Sequence, residues 1–466
     1  VKNRSFYAGI LAAALVVSAH PRAQEAEALK QQAENAFKQN GRMGGDINFG
    51  LIDGDLFATM NLDFQLDLGQ IGFGVRVPLR MRLWDRDPPN EESGGVFRKE
   101  DWDEWSDYLK VIRFFRFGHK GDTLYLRLGD LWGATLGHGT IVGNYYNNLD
   151  LDHFKLGLQL DVNTDYGGAE TLINHLLGPE LVGGRLYVKP WSFVDTESYL
   201  NNLAVGFSTV VDVSAPYRLE GTVEEGYPKV AEAKATTLMG GDIEFKVLRT
   251  SWLELTPYMD LNGVVGEGLG YHAGVLGLFH IPVISLDLTA RLEYRYLNPD
   301  YIPAYFDAAY QVQRYNYLFK NVQTGQIETA PKRWALERLN DRNLNGYFAE
   351  LIFSLNNWVL LGANYDDYDG PYNSNLRVWL QVPALETFQF GAYYYKRNYE
   401  GAAEAFTFDE RSLFLVEARY QIASFLYLAA QYWRVWQLEQ DPASPDYGKY
   451  VSIDDWSVGI GASYNF

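Results

Sequence analysis

The sequence predicts an all-β fold: one transmembrane, antiparallel, up-and-down β-barrel of about 18–20 strands, with long loops at one end. Three observations carry the prediction. Long segments alternate apolar and polar residues with period two. Connections between them alternate short and long. Aromatic residues reach 15% of the chain, with Tyr 33, Phe 26 and Trp 12, as the girdles at two lipid–water boundaries require.

The first segments read as an export signal and a tail. Lys2 and Arg4 precede the apolar run 6–17, and Val17-Ser18-Ala19 offers a cleavage site, with Ala23 as a second. The expected division is 1–19 signal peptide, 20–44 periplasmic tail or short helix, and 45–466 barrel. No later segment reaches eighteen consecutive apolar residues, so no transmembrane helix is expected after the signal.

From Gly45 the alternation takes over. Met60, Leu62, Phe64, Leu66 and Leu68 interleave with Asn61, Asp63, Gln65 and Asp67. After a turn at Gly69-Gln70, Phe73, Val75, Val77, Leu79 and Met81 interleave with Arg76, Arg80 and Arg82, which sets Asp63 opposite Arg76. Leu286–Tyr296 repeats the pattern with Asp287, Arg291, Glu293 and Arg295 on its polar face. Full charges on one face and Leu, Phe, Val and Tyr on the other suit a wall between lipid and a wet lumen. The weakest strands by this criterion are Ile47–Leu51 and Thr135–Tyr145.

The polar faces nominate pore-lining candidates: Asp63, Asp67, Arg76, Arg80, Arg82, Arg127, Arg185, Arg291, Glu293, Arg295, Arg377, Glu417 and Arg419. Opposed charges across a pore select permeants, and the same charges also pair across strands to stiffen the wall. The segment Asn298–Arg342 holds six Lys or Arg against five acids and many aromatics. So apolar a loop is expected to fold into or over the barrel, with Tyr301, Tyr305, Tyr315 and Trp334 as constriction candidates and a helical turn or two over 331–339; a partner-binding extracellular loop is the alternative. The stretch Leu136-Gly137-His138-Gly139 to Asn148 lacks the Lys-Ser or Lys-Thr of a phosphate loop; its glycines are expected to let the backbone bend inward. The loop 85–107 carries nine acids against three bases.

Several functions are excluded. A net charge of −19 argues against nucleic acid as a partner, and the absence of Cys removes thiol catalysis and cysteine-ligated metal. Seven histidines stand without metal-ligand spacing, and no Gly-x-Ser-x-Gly occurs. No cofactor, no metal and no enzymatic activity are expected.

At the end of the sequence Trp456, Val458, Ile460, Ala462, Tyr464 and Phe466 alternate to the last residue. This resembles the terminal strand of bacterial outer-membrane β-barrel proteins of the porin-like kind. The resemblance implies outer-membrane lipid and lipopolysaccharide as surroundings, extracellular long loops, and Tyr464 and Phe466 as a signal to the barrel-assembly machinery. It implies a channel for small hydrophilic solutes or ions. The alternatives are an export conduit for polysaccharide or another polymer, working with a periplasmic partner, and a plugged structural or interaction barrel.

Overall fold

The alternating segments pair into one closed antiparallel sheet of 20 strands in a computed structural model. It describes residues 41–52, 55–84, 97, 102, 105–131, 133–148, 154–195, 197–224, 227–356, 358–382, 387–409, 411–438 and 450–465. The export signal, nearly all of the tail, most of the acidic loop 85–107 and Phe466 lie outside the described residues.

In chain order the strands are β1 (Gly41–Ile52), β2 (Asp55–Asp67), β3 (Ile71–Trp84), β4 (Ile112–Phe117), β5 (Leu124–Gly129), β6 (Gly157–Asn163) and β7 (Gly167–Ile173). There follow β8 (Leu181–Val188), β9 (Leu203–Asp212), β10 (Thr236–Phe245), β11 (Leu253–Val264), β12 (Leu269–Ile281) and β13 (Leu286–Leu297). The last are β14 (Leu344–Leu355), β15 (Val359–Tyr368), β16 (Ser374–Val382), β17 (Phe388–Tyr399), β18 (Ser412–Ala423), β19 (Leu426–Leu438) and β20 (Tyr450–Asn465). Each pairs with its neighbour in sequence, and β1 pairs with β20 from Arg42↔Asn465 to Gly50↔Ser457. That last pairing removes both sheet edges, which open hydrocarbon would otherwise leave unpaired.

The register keeps the two faces apart. Leu186, Leu261, Leu292 and Leu351 point outward and are exposed, while Arg185, Asp260, Arg291 and Glu350 on the same strands are buried inside. Asp63 and Arg76 are register partners across the β2–β3 hairpin, joined at 2.5 Å.

Two expectations about elements need correction. Thr135–Tyr145 is not a wall strand. It belongs to the connection from β5 to β6, where Ala134 and Tyr145 form one bridge and Val142–Gly143 pairs in parallel with Phe306–Asp307 of the β13–β14 connection. Its alternation serves an inserted loop, so period two alone did not separate wall from insert. The rhythm of connections is also imperfect: the β8–β9 connection, at the end with the tight turns, carries 3-10 helices Pro190–Phe193 and Tyr199–Asn202.

The barrel's apolar core is made by these inserts. Leu136, Ile141, Val142 and Tyr145 pack with Tyr301, Ile302, Tyr305, Phe306, Tyr310 and Leu336. The wall contributes inward residues such as Leu172, Val210, Leu238 and Val264. Short helices Tyr310–Gln313 and Lys332–Leu336 complete the longer insert. Burying these side chains together stabilises both inserts in the lumen, at about 1.5–3 kcal/mol for each large residue.

The outward face gives a direct test. Leu292→Arg, near the middle of β13, is expected to lower unfolding stability in lipid vesicles by about 2–4 kcal/mol. Denaturant titration measures it, and an unchanged midpoint would contradict a lipid-facing Leu292.

Candidate functional site: the lumen and its two inserts

Each insert is tied to the wall by buried charge. His138, at the bend between Gly137 and Gly139, reaches β11 and β10: Nδ1 lies 2.7 Å from Asp260 Oδ1 and Nε2 lies 2.9 Å from Glu244 Oε2. Its ring stacks on Tyr258 at 4.2 Å between centroids. Thr140 donates to Asp260 at 2.5 Å and accepts from Asn262 at 2.9 Å, while the Gly137 amide donates to Glu170 at 2.8 Å. A positive φ of 51° at Gly137 and 74° at Gly139 makes the bend that delivers the imidazole. A Cβ on Gly137 would meet the Arg185 side chain at 3.0 Å.

With a carboxylate on each ring nitrogen, His138 donates from both, which is the imidazolium form. Burial alone would depress its pKa; Asp260 and Glu244 outweigh that and raise it to about 9. The inward tip of the insert is therefore a charged clamp.

The longer insert is held by Arg314. Its guanidinium reaches Asp212 at 2.7 Å and Glu180 at 2.5 Å, and donates to the Ser214 carbonyl at 3.0 Å. Tyr310 also donates to Asp212 at 2.6 Å. Lys332 donates to the Tyr305 carbonyl at 2.7 Å and to Gln313 at 2.6 Å; burial lowers its pKa to about 8, with Asp307 opposing.

Between this insert and the wall β13–β17 lies a cavity of about 1310 Å³, counting the space that opens to solvent. Arg291, Arg295, Arg377 and Arg397 line it with Lys332, against Asp307, Glu350 and Asp366. Tyr301, Tyr317, Tyr368 and Tyr395 and several Asn side chains supply the rest of its polar surface. Glu293 fixes the floor. It binds Arg295 at 2.5 Å, pairs with Arg291, accepts from Tyr258 at 2.6 Å and meets His272 Nδ1 at 3.1 Å. Arg291 and Arg295 both lie over Phe348, and Arg295 donates to the Tyr368 hydroxyl at 2.7 Å.

The charged residues singled out from the sequence fall into distinct places. Arg291, Arg295 and Arg377 line the cavity, and Glu293 sits just behind it. Arg185 is pinned to Asp242 at 2.6 Å and lies over Tyr187; Arg127 donates to the Asp130 carbonyl at 2.6 Å and lies over Phe114. Asp67 pairs with Arg116 at 2.8 Å, beside the first turn. Arg82 lies over Phe57 and Arg419 over Tyr427, both on inward faces, while Arg80 is buried on β3. Glu417 stands opposite Gly391 and Gln431.

Of the insert aromatics, Tyr301 lines the cavity and meets His272 Nε2 at 3.0 Å. Tyr305 and Tyr315 are buried, Tyr305 within the insert core, and Trp334 carries Arg338 over its ring at 3.9 Å. The backbone of Tyr464 pairs with Met43.

Sequence reasoning passed over His138, Arg314, Arg397 and Tyr395. His138 between glycines was the available signal, because two flexible neighbours around one ionisable ring suit a turn that must present it. Arg397 and Tyr395 share one face of β17, and its period-two parity was the available signal for them.

No protein-family model and no curated protein matches the chain. Among solved structures it is similar to Escherichia coli Wzi, described as an outer membrane protein involved in group 1 capsule assembly and a carbohydrate-binding β-barrel. Identity there is 12%, the match covers 100% of this chain and 97% of that chain, and the TM-score is 0.36. It is also similar to two Pseudomonas aeruginosa proteins. OccK8 (OprE) has 9% identity, coverage of 92% and 98%, and a TM-score of 0.36; OccK5 (OpdH) has 12%, 91% and 98%, and 0.32. The architecture is that of a closed, antiparallel, up-and-down β-barrel with an apolar outer face. Its closure follows from this chain's own strand pairing, and the likeness extends no further than architecture.

The clamp is testable by pH. A folded-state pKa raised above 6.5 contributes stability that is full below pH 6.5 and lost as pH rises through about 9. His138→Gln is expected to cost roughly 3–5 kcal/mol at pH 6, with the difference from wild type shrinking above pH 9. Lys332 titrates in both proteins and cancels in that difference. Denaturant titrations of the two barrels across pH measure it; a pH-independent difference would contradict the clamp.

Proposed function

We propose that this barrel is a narrow outer-membrane channel for small hydrophilic solutes, constricted by its own inserts. The observation that carries this reading is the polar cavity between the Asn298–Asn343 connection and the β13–β17 wall. A lumen filled only for rigidity has no need of a charged, solvent-connected space beside its core. Twenty strands enclose more room than side chains alone fill, so the inserts set the bore. The mixed charges of the lining create a transverse field suited to selecting polar permeants over apolar ones.

In this reading the barrel sits among outer-membrane lipid and lipopolysaccharide, and the assembly machinery reads its last strand through Tyr464 and Phe466. No catalytic step is part of it.

A second reading, a closed barrel that displays loops, is favoured by the apolar core joining both inserts inside the lumen. An export conduit would stay silent until its periplasmic partner is supplied.

Planar-bilayer recording of the purified barrel separates the three. The channel reading expects steady conductance without a partner. Replacing residues 301–340 with a short Gly-Ser linker should raise that conductance several-fold, in a variant that still migrates as a folded barrel on unheated gels. Silence of the wild type, or conductance unchanged by the replacement, would contradict the constricted channel.

A further inference from the structure

Two arginines of the cavity wall lack what the other wall arginines beside the insert have, a carboxylate. Arg185 has Asp242, and Arg291 and Arg295 share Glu293; on the insert itself, Arg314 has Asp212 and Glu180. Arg377 on β16 and Arg397 on β17 make no ion pair among the described residues. Both guanidinium groups instead lie over the ring of Tyr395, at 4.7 and 4.8 Å from its centroid, and Arg397 also lies 5.4 Å from that of Tyr317. The register explains the convergence, since Arg377 stands directly across from Tyr395 and Arg397 follows it on the same face.

Each guanidinium meets the Tyr395 hydroxyl as well as its ring, and a ring face consumes no N–H group, so several N–H groups of each fork remain to meet a planar anion. Arg377 Nε is buried without a hydrogen-bond partner, and so is Asn144 Oδ1 on the opposite lining of the same cavity. The three carboxylates of the lining have partners of their own, and Asp307 and Asp366 act on Arg377 and Arg397 without forming an ion pair with them. Asp366 accepts from Asn375 at 2.5 Å, and Asp307 accepts from the Ala309 amide at 3.0 Å. Glu350 stands opposite Arg291. The cavity thus joins two cationic forks that have no ion-pair partner among the described residues to amides that recognise hydroxyl groups.

We infer that the cavity binds a small hydroxylated carboxylate of the sugar-acid class, its carboxylate bridging Arg377 and Arg397 and its hydroxyls meeting Asn144 and Asn364. The inference rests on the channel reading for the ligand's access to the cavity. Carboxylate geometry matches paired forks in a way a neutral sugar does not.

Isothermal titration of the detergent-solubilised barrel tests it with galacturonate, galactose and inorganic phosphate as probes. Galacturonate is expected to bind at least about ten-fold more tightly than galactose, and Arg377→Gln with Arg397→Gln to lose at least about ten-fold of that affinity. The two wild-type comparisons stand even where the double variant fails to fold. Equal affinity for galactose and galacturonate would overturn the inference. So would tighter binding of phosphate, or galacturonate binding unchanged in the folded double variant. A barrel that binds galacturonate but never conducts refutes the channel alone; one that conducts without binding refutes this inference alone.

Discussion

Every backbone amide that this chain places in hydrocarbon must find its partner on a neighbouring strand, and the pairing of β1 with β20 is what makes that complete. The rest of the architecture follows from closure. With no edge left, each strand has one face toward lipid and one toward the lumen, so period-two alternation becomes compulsory along the wall. An even number of strands brings both ends of the sheet to the same side, and long connections gather mainly at the other. The outward leucines face lipid because closure gives them nowhere else to point.

Closure also creates the problem that the inserts solve. A barrel of 20 strands encloses space that wall side chains cannot fill, and a long connection entering it must satisfy its own polar groups. The β5–β6 and β13–β14 connections do so with backbone bonds to each other, such as Ala304 to Thr140 at 2.8 Å, and with a shared apolar core. Charged anchors then fix their position. His138 sits between Asp260 and Glu244, and Arg314 between Asp212 and Glu180. Leaving any of these ions without its partner is costly, which makes them strong constraints on where the insert lies. What remains open is the cavity against β13–β17, where Arg377 and Arg397 make no ion pair among the described residues.

The wall was legible in the sequence because lipid imposes its pattern on every strand. Leu286–Tyr296 announces one lipid-facing and one charged side, and the Gly69-Gln70 turn sets the Asp63–Arg76 register that the β2–β3 hairpin adopts. The interior was less legible, for a physical reason. Inserts answer to packing against residues far away in sequence, and no local period records that His138 meets β10 and β11 across more than a hundred residues. Thr135–Tyr145 shows the same limit from the other side: its alternation mimics a wall strand, yet its partners are an insert and its own hairpin. Composition points to an aromatic loop that folds into or over the barrel, and its residues pack with the inward wall residues Leu172, Val210, Leu238 and Val264. Which of its tyrosines would face the cavity was not readable, since Tyr301 and Tyr305 differ only in their packing.

The most direct test of closure uses the seam itself. The natural chain has no Cys, so Ile47→Cys with Ile460→Cys places a single reactive pair across β1 and β20, with Leu62→Cys and Val77→Cys as the control pair inside the β2–β3 hairpin. In the folded barrel a short bis-thiol cross-linker should join the seam pair about as efficiently as the hairpin pair. Efficient cross-linking of the hairpin with none at the seam would mean that the sheet is open, and the account would fall with it.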